Sequence, residues 1–417
     1  MKAFSVLLVV FSLTAAALPQ TDLPETLAKN RSIVRVVDGS LQGEGAEILL
    51  REGRNSQFFL IGESHGIAEL PLLASALFEA LNPHGYEYFA IETGPITASR
   101  IEEMAREPGG MAGFNFEFPL SLPFFNFQEE AAFVESVLKR SKNRKNALWG
   151  LDQEFAASAA IHLPRLLELA EDTRSRSIVR PFAEKASTEI DRIIASGNPS
   201  EAFLGSATDE DLEKLESAFK GTANSEAKEI LEELRASRDI YRMFFTGKGY
   251  ESNLERSRLM KGHFTSYYER AGGNARKPKV LFKFGSNHMT RARNYTNVFD
   301  IGSLASAIAD GNGSSSFHLY VVATSGSQNR YIPFHKNEAD KQKKIVPETS
   351  FADLDPFLGI ADKENWTLVD LRPLRPLIHG GKLKDLPRGF ADLVWGFDAV
   401  LLMPNVKAST LFDTRLD

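Results

Sequence analysis

The sequence predicts an α/β protein with a central mixed, largely parallel sheet that is flanked by helices and carries a helical insertion. Short apolar runs that end in polar or glycine residues alternate with stretches of helical leucine spacing, as in residues 58–92. A block with repeated helical apolar stripes then separates two groups of strand-like segments at about residues 153–275. We expect this block to be an insertion over one end of the sheet, and the alternative is helices that pack on a sheet face.

The predicted strands are short apolar runs, each followed by a polar or glycine break. They cover residues 58–62, 88–92, 147–152, 280–284, 317–324, 366–371 and 397–403. Between the first two strands, leucine recurs at helical spacing from Leu70 to Leu81, which predicts a helix. Residues 109–127 are rich in Gly, Pro and Phe without a recognisable period, so they predict a long apolar loop.

The first residues have the layout of a secretory signal, with a positive start at Lys2, an apolar run, and small residues up to Ala17. The apolar run is well short of the ~20 residues that a membrane-spanning helix needs. We therefore expect cleavage after Ala17, a periplasmic or secreted location, and no membrane span in the mature chain. The expected organisation is a signal peptide at 1–17, an N-terminal lead at 18–56, one α/β domain at 57–405 that includes the insertion, and a C-terminal tail at 406–417.

Composition limits the partners of the chain. Loss of Lys2 with the signal changes the formal charge from −6 to −7, and the pI of the sequence is near 5.9. No global electrostatic feature therefore favours nucleic acid or an anionic membrane surface. The chain has no cysteine, so it forms no disulfide and carries no lipid-modified cysteine, and its stability must come from a packed core.

Side chains able to perform proton or metal chemistry follow four of the predicted strands. They are Glu63 and His65 after the first strand, Glu92 after the second, Asp152 and Glu154 after the third, and His288 after the fourth. Sites in α/β sheets lie beyond the carboxyl ends of the strands. If these strands are parallel neighbours, the two imidazoles and the carboxylates share one crevice.

Each of these residues also has a purely structural explanation. Glu63 and Asp152 precede predicted helices and would cap them. Glu92 stands before a Thr-Gly-Pro turn, where acidic residues are common. His288 follows a Gly-Ser-Asn turn and fits an exposed loop, and His263 fits a partly buried histidine on a helix.

The segment from Phe59 to Gly66, followed by a helix, resembles the opening motif of the erythromycin esterase-like family. That family belongs to a broader group with ChaN-type haem-binding proteins and TIKI/TraB-type proteins. Six further segments resemble family motifs in the same order. They are the strand that ends at Glu92, the Gly-x-Asp segment at Asp152, the Arg-rich helix from Arg256 to Met260, the strand and Asn-His turn at 280–288, the Gly-x-x-Leu segment at 301–304, and the closing strand at 397–400.

The resemblance spans roughly residues 55–405 and implies a hydrolase that needs no cofactor and acts on a small-molecule ester or lactone; the signal-like N-terminus adds the expectation of export. In this interpretation His65 and Glu92 activate water, Glu63 orients the base, and His288 polarises the carbonyl or protonates the leaving oxygen. The candidate substrate-binding residues are Asp152, Arg256, His263, Lys283 and Asn287.

Two departures from the family concern the substrate more than the fold. His263 stands where members that hydrolyse macrolides usually carry asparagine. Lys283 begins a Lys-Phe-Gly-Ser segment where members tend to have an aromatic and small residues. Lys283 would either bind an anionic group of the substrate or extend to solvent.

Three alternatives stay open at this point. A TIKI/TraB-like enzyme would use Glu63, His65, Glu92 and His288 to bind a divalent metal that activates water. A ChaN-like protein would bind haem or iron without catalysis, and the six phenylalanines of residues 109–127 would cover the flat ligand. Those phenylalanines are equally explained as core or lid packing. The third alternative is a structural or partner-binding protein without chemistry.

Overall fold

The computed structural model describes residues 21–107, 109–141, 144–221, 223–330, 332, 335, 337–345, 354–383 and 385–412. The predicted signal peptide lies outside these residues, as does the end of the predicted C-terminal tail. No helix in the described ranges is long and apolar enough to cross a membrane.

Nine of the described strands form one mixed sheet in the order β2-β1-β10-β11-β7-β3-β6-β4-β5. The strands are β1 (Arg31–Val37), β2 (Ser40–Gln42), β3 (Phe58–Glu63), β4 (Tyr86–Ile91), β5 (Leu148–Gly150), β6 (Lys279–Gly285), β7 (Ser316–Ala323), β8 (Gly326–Asn329), β9 (Gln342–Ile345), β10 (Trp366–Asp370) and β11 (Ala399–Met403). Neighbours from β11 to β5 are parallel, whereas β10, β1 and β2 pair antiparallel at the other edge. Strands β8 and β9 form a separate antiparallel pair.

Helices flank this sheet and fill the segment between β5 and β6. They are α1 (Leu23–Lys29), α2 (Glu44–Asn55), α3 (Glu69–Leu81), α4 (Pro95–Met104), α5 (Gly110–Glu117), α6 (Gln128–Arg140), α7 (Ala159–Leu169), α8 (Thr173–Ser187), α9 (Glu189–Ser196), α10 (Phe203–Ser206), α11 (Asp209–Ala218), α12 (Ser225–Phe245), α13 (Gly249–Arg270), α14 (Gly273–Arg276), α15 (Ser286–Met289), α16 (Ile301–Gly311), α17 (Glu338–Lys341), α18 (Asp355–Leu358), α19 (Leu374–His379) and α20 (Phe390–Gly396). The predicted fold class is confirmed, and each predicted strand overlaps an observed one.

Both faces of the central strands are buried, which explains why β3 is apolar almost throughout its length. Side chains alternate along a strand, so Phe59 and Ile61 pack with α2, α3, α5 and α6 on one face. Phe58 and Leu60 point to the other face and pack with α13, α16, α19 and α20. The sheet is therefore the middle layer of an α/β/α sandwich.

The helical block contains two kinds of helix. Helices α7, α8, α10, α11 and α12 enclose an apolar core of their own, which includes Leu163, Val179 and Leu234. Helix α13 instead packs on the sheet, where Phe264 contacts Phe58 edge to face. The block thus combines a separate helical layer with one long helix that covers the sheet.

The prediction of a continuous apolar loop at 109–127 was wrong, because α5 occupies its first half. The helix begins at Gly110 directly after Gly109, and both residues have positive φ angles, which suit glycine. Its Met111 N–H donates to the Glu135 carboxylate at 2.7 Å, and Met111 and Phe114 are fully buried. Packing and one side-chain cap therefore form a helix that has no amphipathic period.

The described part of the predicted tail lies along two loops. The Ala68 N–H donates to the Lys407 carbonyl at 2.9 Å, and the Ser409 N–H donates to the Gly66 carbonyl at 3.0 Å. Further along, the Gln128 N–H donates to the Thr410 carbonyl at 2.8 Å. This segment thereby joins the loop after β3 to the start of α6.

Candidate active site

Four parallel neighbours, in the order β3-β6-β4-β5, bring the sequence-predicted groups to one edge of the sheet. Strand β3 ends at Glu63, and β4 ends directly before Glu92. Strand β5 ends two residues before Asp152, and β6 ends three residues before His288. Because these strands are parallel, their carboxyl ends lie side by side, as the sequence pattern required.

The two imidazoles converge on the Glu92 carboxylate. His65 Nε2 lies 3.2 Å from Glu92 Oε2, and His288 Nε2 lies 3.4 Å from Glu92 Oε1. Each imidazole is held at its other nitrogen by a second carboxylate. Nδ1 of His65 donates to Glu63 at 2.9 Å, and Nδ1 of His288 donates to Asp300 at 2.8 Å. The result is a chain of three carboxylates and two imidazoles in alternation.

Glu92 is further fixed by the backbone and by Arg256. The Gly285 N–H donates to Glu92 Oε2 at 2.6 Å, and Arg256 Nη2 donates to Oε1 at 3.0 Å. The same guanidinium binds both oxygens of Asp152, at 2.8 and 2.5 Å. Of the candidate substrate-binding residues, Arg256 therefore contacts the catalytic candidate Glu92 directly, and Asp152 is joined to Glu92 through Arg256.

The carboxylates decide the charge of both imidazoles. Burial opposes protonation of His65, but Glu92 and Glu63 outweigh it and raise the pKa of His65 to about 9. Burial acts the same way on His288, where Asp300 and Glu92 raise the pKa to about 10. Burial also favours the neutral form of Glu92, yet His65 and His288 hold its pKa well below the usual value. His65 loses its proton before His288 as the pH rises.

Access to the group is through His65. The His65 side chain is 21% exposed, and that of Glu92 is 8% exposed. The ring of Phe124 stacks on the imidazole of His65 at a centroid distance of 3.7 Å. Phe124 has a positive φ of 59°, which is uncommon for a bulky side chain and marks a strained backbone beside the site.

Lys283 lies below the site and does not extend to solvent. Its side chain is buried, and Nζ donates to Glu63 Oε1 at 2.8 Å and to Glu130 Oε1 at 2.5 Å. Burial opposes the ammonium form, but Glu130 and Glu63 raise the pKa of Lys283 to about 12. Burial raises the pKa of Glu130 to about 7. Lys283 is therefore an internal cation next to the Glu63–His65 pair.

The other candidate substrate-binding residues are His263 and Asn287. His263 donates from Nδ1 to the Leu151 carbonyl and from Nε2 to Glu233, both at 2.9 Å. Asn287, which precedes His288, lines a cavity of about 550 Å³ together with Ser286, Arg293 and Tyr320. Its Oδ1 is buried without a hydrogen-bond partner among the described residues.

Sequence reasoning did not identify Asp300, Glu130 and Phe124. A usable signal existed for Asp300, because it precedes the 301–304 motif and caps α16 through the Ile301 N–H. Glu130 lies on the stripe of α6 that also carries Ala131 and Val134, where a charged residue is unexpected. No signal distinguishes Phe124 from the other five phenylalanines of the segment.

The metal and haem alternatives stay predictions. The described part of the chain has no group of three or more His, Asp or Glu side chains arranged to hold a metal ion. Elemental analysis of protein purified without chelator tests the first alternative, and haem titration followed by absorption spectroscopy tests the second.

The sandwich, the strand order and the acidic, imidazole-rich sheet edge define an α/β protein of the erythromycin esterase type in fold. Solved structures share this fold across nearly the whole chain. The erythromycin esterase EreC, solved as a histidine-to-asparagine variant in its open conformation, has a TM-score of 0.62 at 17% identity, with 93% of this chain and 100% of that chain covered. A succinoglycan biosynthesis protein has a TM-score of 0.61 at 14% identity, with 94% of this chain and 98% of that one covered.

A third structure, of a Bacillus cereus protein, has a TM-score of 0.58 at 13% identity and covers 94% of this chain and 98% of its own. No protein-family model matches the sequence, and no curated protein matches it either. At these identities the likeness shows a common fold, and function has to be argued from the site.

Proposed function

We propose that the protein is an exported hydrolase that cleaves a carboxylic ester or lactone with a water molecule. The observation that carries this proposal is the convergence of His65 and His288 on Glu92, with each imidazole held at its far nitrogen by a further carboxylate. One imidazole can then take a proton while the other gives one, and both stay oriented throughout.

In the proposed reaction the reactive form has a neutral His65 and a charged His288. Neutral His65 no longer donates to Glu92, so its Nε2 can accept a proton from a water molecule that attacks the carbonyl carbon. Glu63 and Glu92 stabilise the imidazolium that forms. The C–O bond breaks as His288 donates its Nε2 proton to the leaving oxygen, which yields an acid and an alcohol, or one hydroxy acid from a lactone.

The pKa order of the two imidazoles supports these roles. The pKa of His65 is about 9 and that of His288 is about 10, so a rise in pH makes His65 the neutral member first. Arg256 holds Glu92 in place from the helical side, and the Gly285 N–H holds it from the strand side. We assign base and acid on this order and on exposure, because the His65 side chain is 21% exposed and that of His288 is 11% exposed.

Two classes of substrate are worth testing first. Erythromycin is a probe because EreC, which shares the fold, is an erythromycin esterase. A p-nitrophenyl butyrate assay reports ester cleavage without assuming a macrolide. EreC is only 17% identical to this chain, so the simple ester, which needs no macrolide-specific contacts, is the first of the two probes.

The proposal is tested by steady-state hydrolysis of both probes at pH 9 with chelator present, using wild-type protein and the Glu92→Gln variant. Wild type should turn over at least one probe, and Glu92→Gln should lower kcat/KM by about 10²–10⁴-fold. The variant would contradict the proposal if it stayed as active as wild type. Activity that the chelator abolishes would favour the metal-dependent alternative.

Export is part of the proposal and rests on residues 1–17. We expect the mature protein to begin at Leu18 and to be recovered from the periplasm or the medium. N-terminal sequencing of the protein from fractionated cells tests this, and an intact Met1 in a cytoplasmic fraction would contradict it.

A further inference from the structure

Lys283 is a charged side chain in an apolar layer. It lies on β6 in register with Ile61 and Ile91, on the face that α3 and α6 cover. Only 4% of the residue is exposed. Burial of an ammonium group in such a layer is costly, and replacing a whole buried ion pair by well-packed apolar residues is often neutral for stability. Stability therefore does not explain why a lysine occupies position 283.

The partners of Lys283 connect it to the site. Nζ donates to Glu63 Oε1, and the same oxygen accepts from Nδ1 of His65. Nζ also donates to Glu130 Oε1 from α6. One carboxylate oxygen of Glu63 thus joins the buried ammonium group to the imidazole.

Glu63 has few other restraints. Its second oxygen, Oε2, is buried and has no hydrogen-bond partner in the described ranges, and the same holds for Oε2 of Glu130. The orientation of the Glu63 carboxylate therefore depends on Lys283 and His65. Lys283 is the anchored side of this arrangement, because it is buried on β6 and Glu130 keeps its Nζ in place.

We propose that Lys283 and Glu130 are positioning residues, which hold Glu63 so that it directs Nε2 of His65 at Glu92. This inference rests on the proposed role of His65 in hydrolysis. It replaces the expectation that Lys283 binds substrate, since its Nζ is enclosed between two carboxylates below the site. It also gives α6 a role in the chemistry, through a residue that touches no reacting atom.

The two roles for Lys283 differ in the kinetic constant that they change. If Lys283 positions Glu63, Lys283→Met should lower kcat by about 10- to 100-fold and leave KM within about twofold. If Lys283 binds substrate, KM should rise instead, and the inference fails. Glu130→Gln keeps an acceptor for Nζ and should lower kcat by less than Lys283→Met does.

A matched control is Arg238→Met in the helical layer. Arg238 is a similarly buried cation on α12, and it is paired with Asp209 at 2.5 Å instead of with a site residue. Thermal melting should show a loss of stability in both methionine variants. A kcat that falls equally in Arg238→Met would show that the effect is general destabilisation and would overturn the inference.

An NMR measurement separates this inference from the proposed function, because it needs no substrate. The Nδ1–H signal of His65, identified by its loss in His65→Asn, should lie downfield in wild type, as expected for a proton bonded to a carboxylate. It should shift upfield in Glu130→Gln, where the whole charge of Lys283 acts on Glu63, and disappear in Lys283→Met. An unchanged signal in both folded variants would overturn the inference, even if the protein hydrolyses esters.

Discussion

Two imidazole–carboxylate arrangements follow neighbouring strands of the sheet, and only one has the features of a reactive site. In the first, His65 and His288 meet Glu92. In the second, Nε2 of His162 donates to Glu154 at 2.8 Å, a shorter contact than the 3.2 Å between His65 and Glu92. Proximity of an imidazole to a carboxylate is therefore common to both regions.

The two regions differ in the other groups that bind the carboxylate, which is Glu92 in the first region and Glu154 in the second. Glu154 accepts from the backbone N–H groups of Ile96 and Thr97, at 2.9 and 3.2 Å, and from the Thr97 hydroxyl. These bonds cap the start of α4. His162 is only 1% exposed, so no substrate can reach it. The pair stabilises the junction between the sheet and the helical layer.

The comparison teaches that a second imidazole and access to solvent distinguish the candidate site. Glu92 binds two imidazoles, and both are held from behind by carboxylates. His65 keeps one fifth of its side chain exposed, although Phe124 covers one face of the ring. Replacing corresponding residues in the two regions should therefore have different effects on activity.

The largest difference is expected between His65→Asn and His162→Asn. Loss of the proposed base should lower kcat/KM by about 10³-fold or more. Loss of His162 leaves Glu154 short of one buried donor, so Tm should fall while kcat/KM on the same ester stays near wild type. Equal activity loss in both variants would remove the distinction between the two regions.

The pH profile should show the next largest effect. The neutral fraction of a base with a pKa near 9 rises roughly 50-fold between pH 7 and pH 9, so kcat/KM should rise by about that factor. Above pH 10 it should fall as His288 loses its proton. A profile that is flat from pH 7 to pH 9 in wild type would show that neutral His65 is not the reactive form.

A smaller effect is expected from Phe124→Ala. The substitution removes the ring that stacks on His65, so the imidazole gains freedom and water gains access. We expect kcat to fall about 5- to 10-fold, of the order that an aromatic contact contributes. Phe116→Ala is the matched control, because Phe116 is an exposed phenylalanine of the same segment, and its kcat should match wild type. If kcat fell equally in both variants, the stacking of Phe124 on His65 would have no particular role in the reaction.

A further effect concerns the dependence of stability on pH. His65 and His288 have raised pKa values in the folded protein, so they stabilise it fully below pH 6.5, and this stabilisation is lost as the pH rises through 9 and 10. Each group should lower the free energy of unfolding by at most about 1.4 kcal/mol per pH unit in that window. Chemical denaturation of wild type and His65→Asn should show a shallower pH dependence in the variant. If the free energy of unfolding depended on pH equally in both proteins, the raised pKa assigned to His65 would be contradicted.

The sheet and the meeting of Glu63, His65, Glu92 and His288 were predictable from the sequence for one reason. Apolar strands with reactive residues at their carboxyl ends place those residues together once the strands are parallel neighbours. The opening motif after β3 and the Asn-His turn after β6 gave the same residues by resemblance. Their chemical roles stay predictions until activity is measured.

Other features depended on packing between distant segments, and local patterns do not show it. Lys283 looked solvent-directed or substrate-directed, because its partner Glu130 lies 153 positions earlier on α6. Helix α5 was missed because its apolar residues have no helical period, and glycines start it. Asp300 could have been predicted from the sequence, since a capping aspartate stands directly before a recognised motif.

Hydrolysis in ¹⁸O-labelled water tests the central claim most directly. Attack of water on the carbonyl carbon, with the proton taken by His65, predicts one ¹⁸O atom in the acid product of p-nitrophenyl butyrate and none in the alcohol. It also predicts that His65→Asn forms this labelled acid no faster than buffer does. Label in the alcohol, or labelled acid formed by His65→Asn at the wild-type rate, would contradict the account.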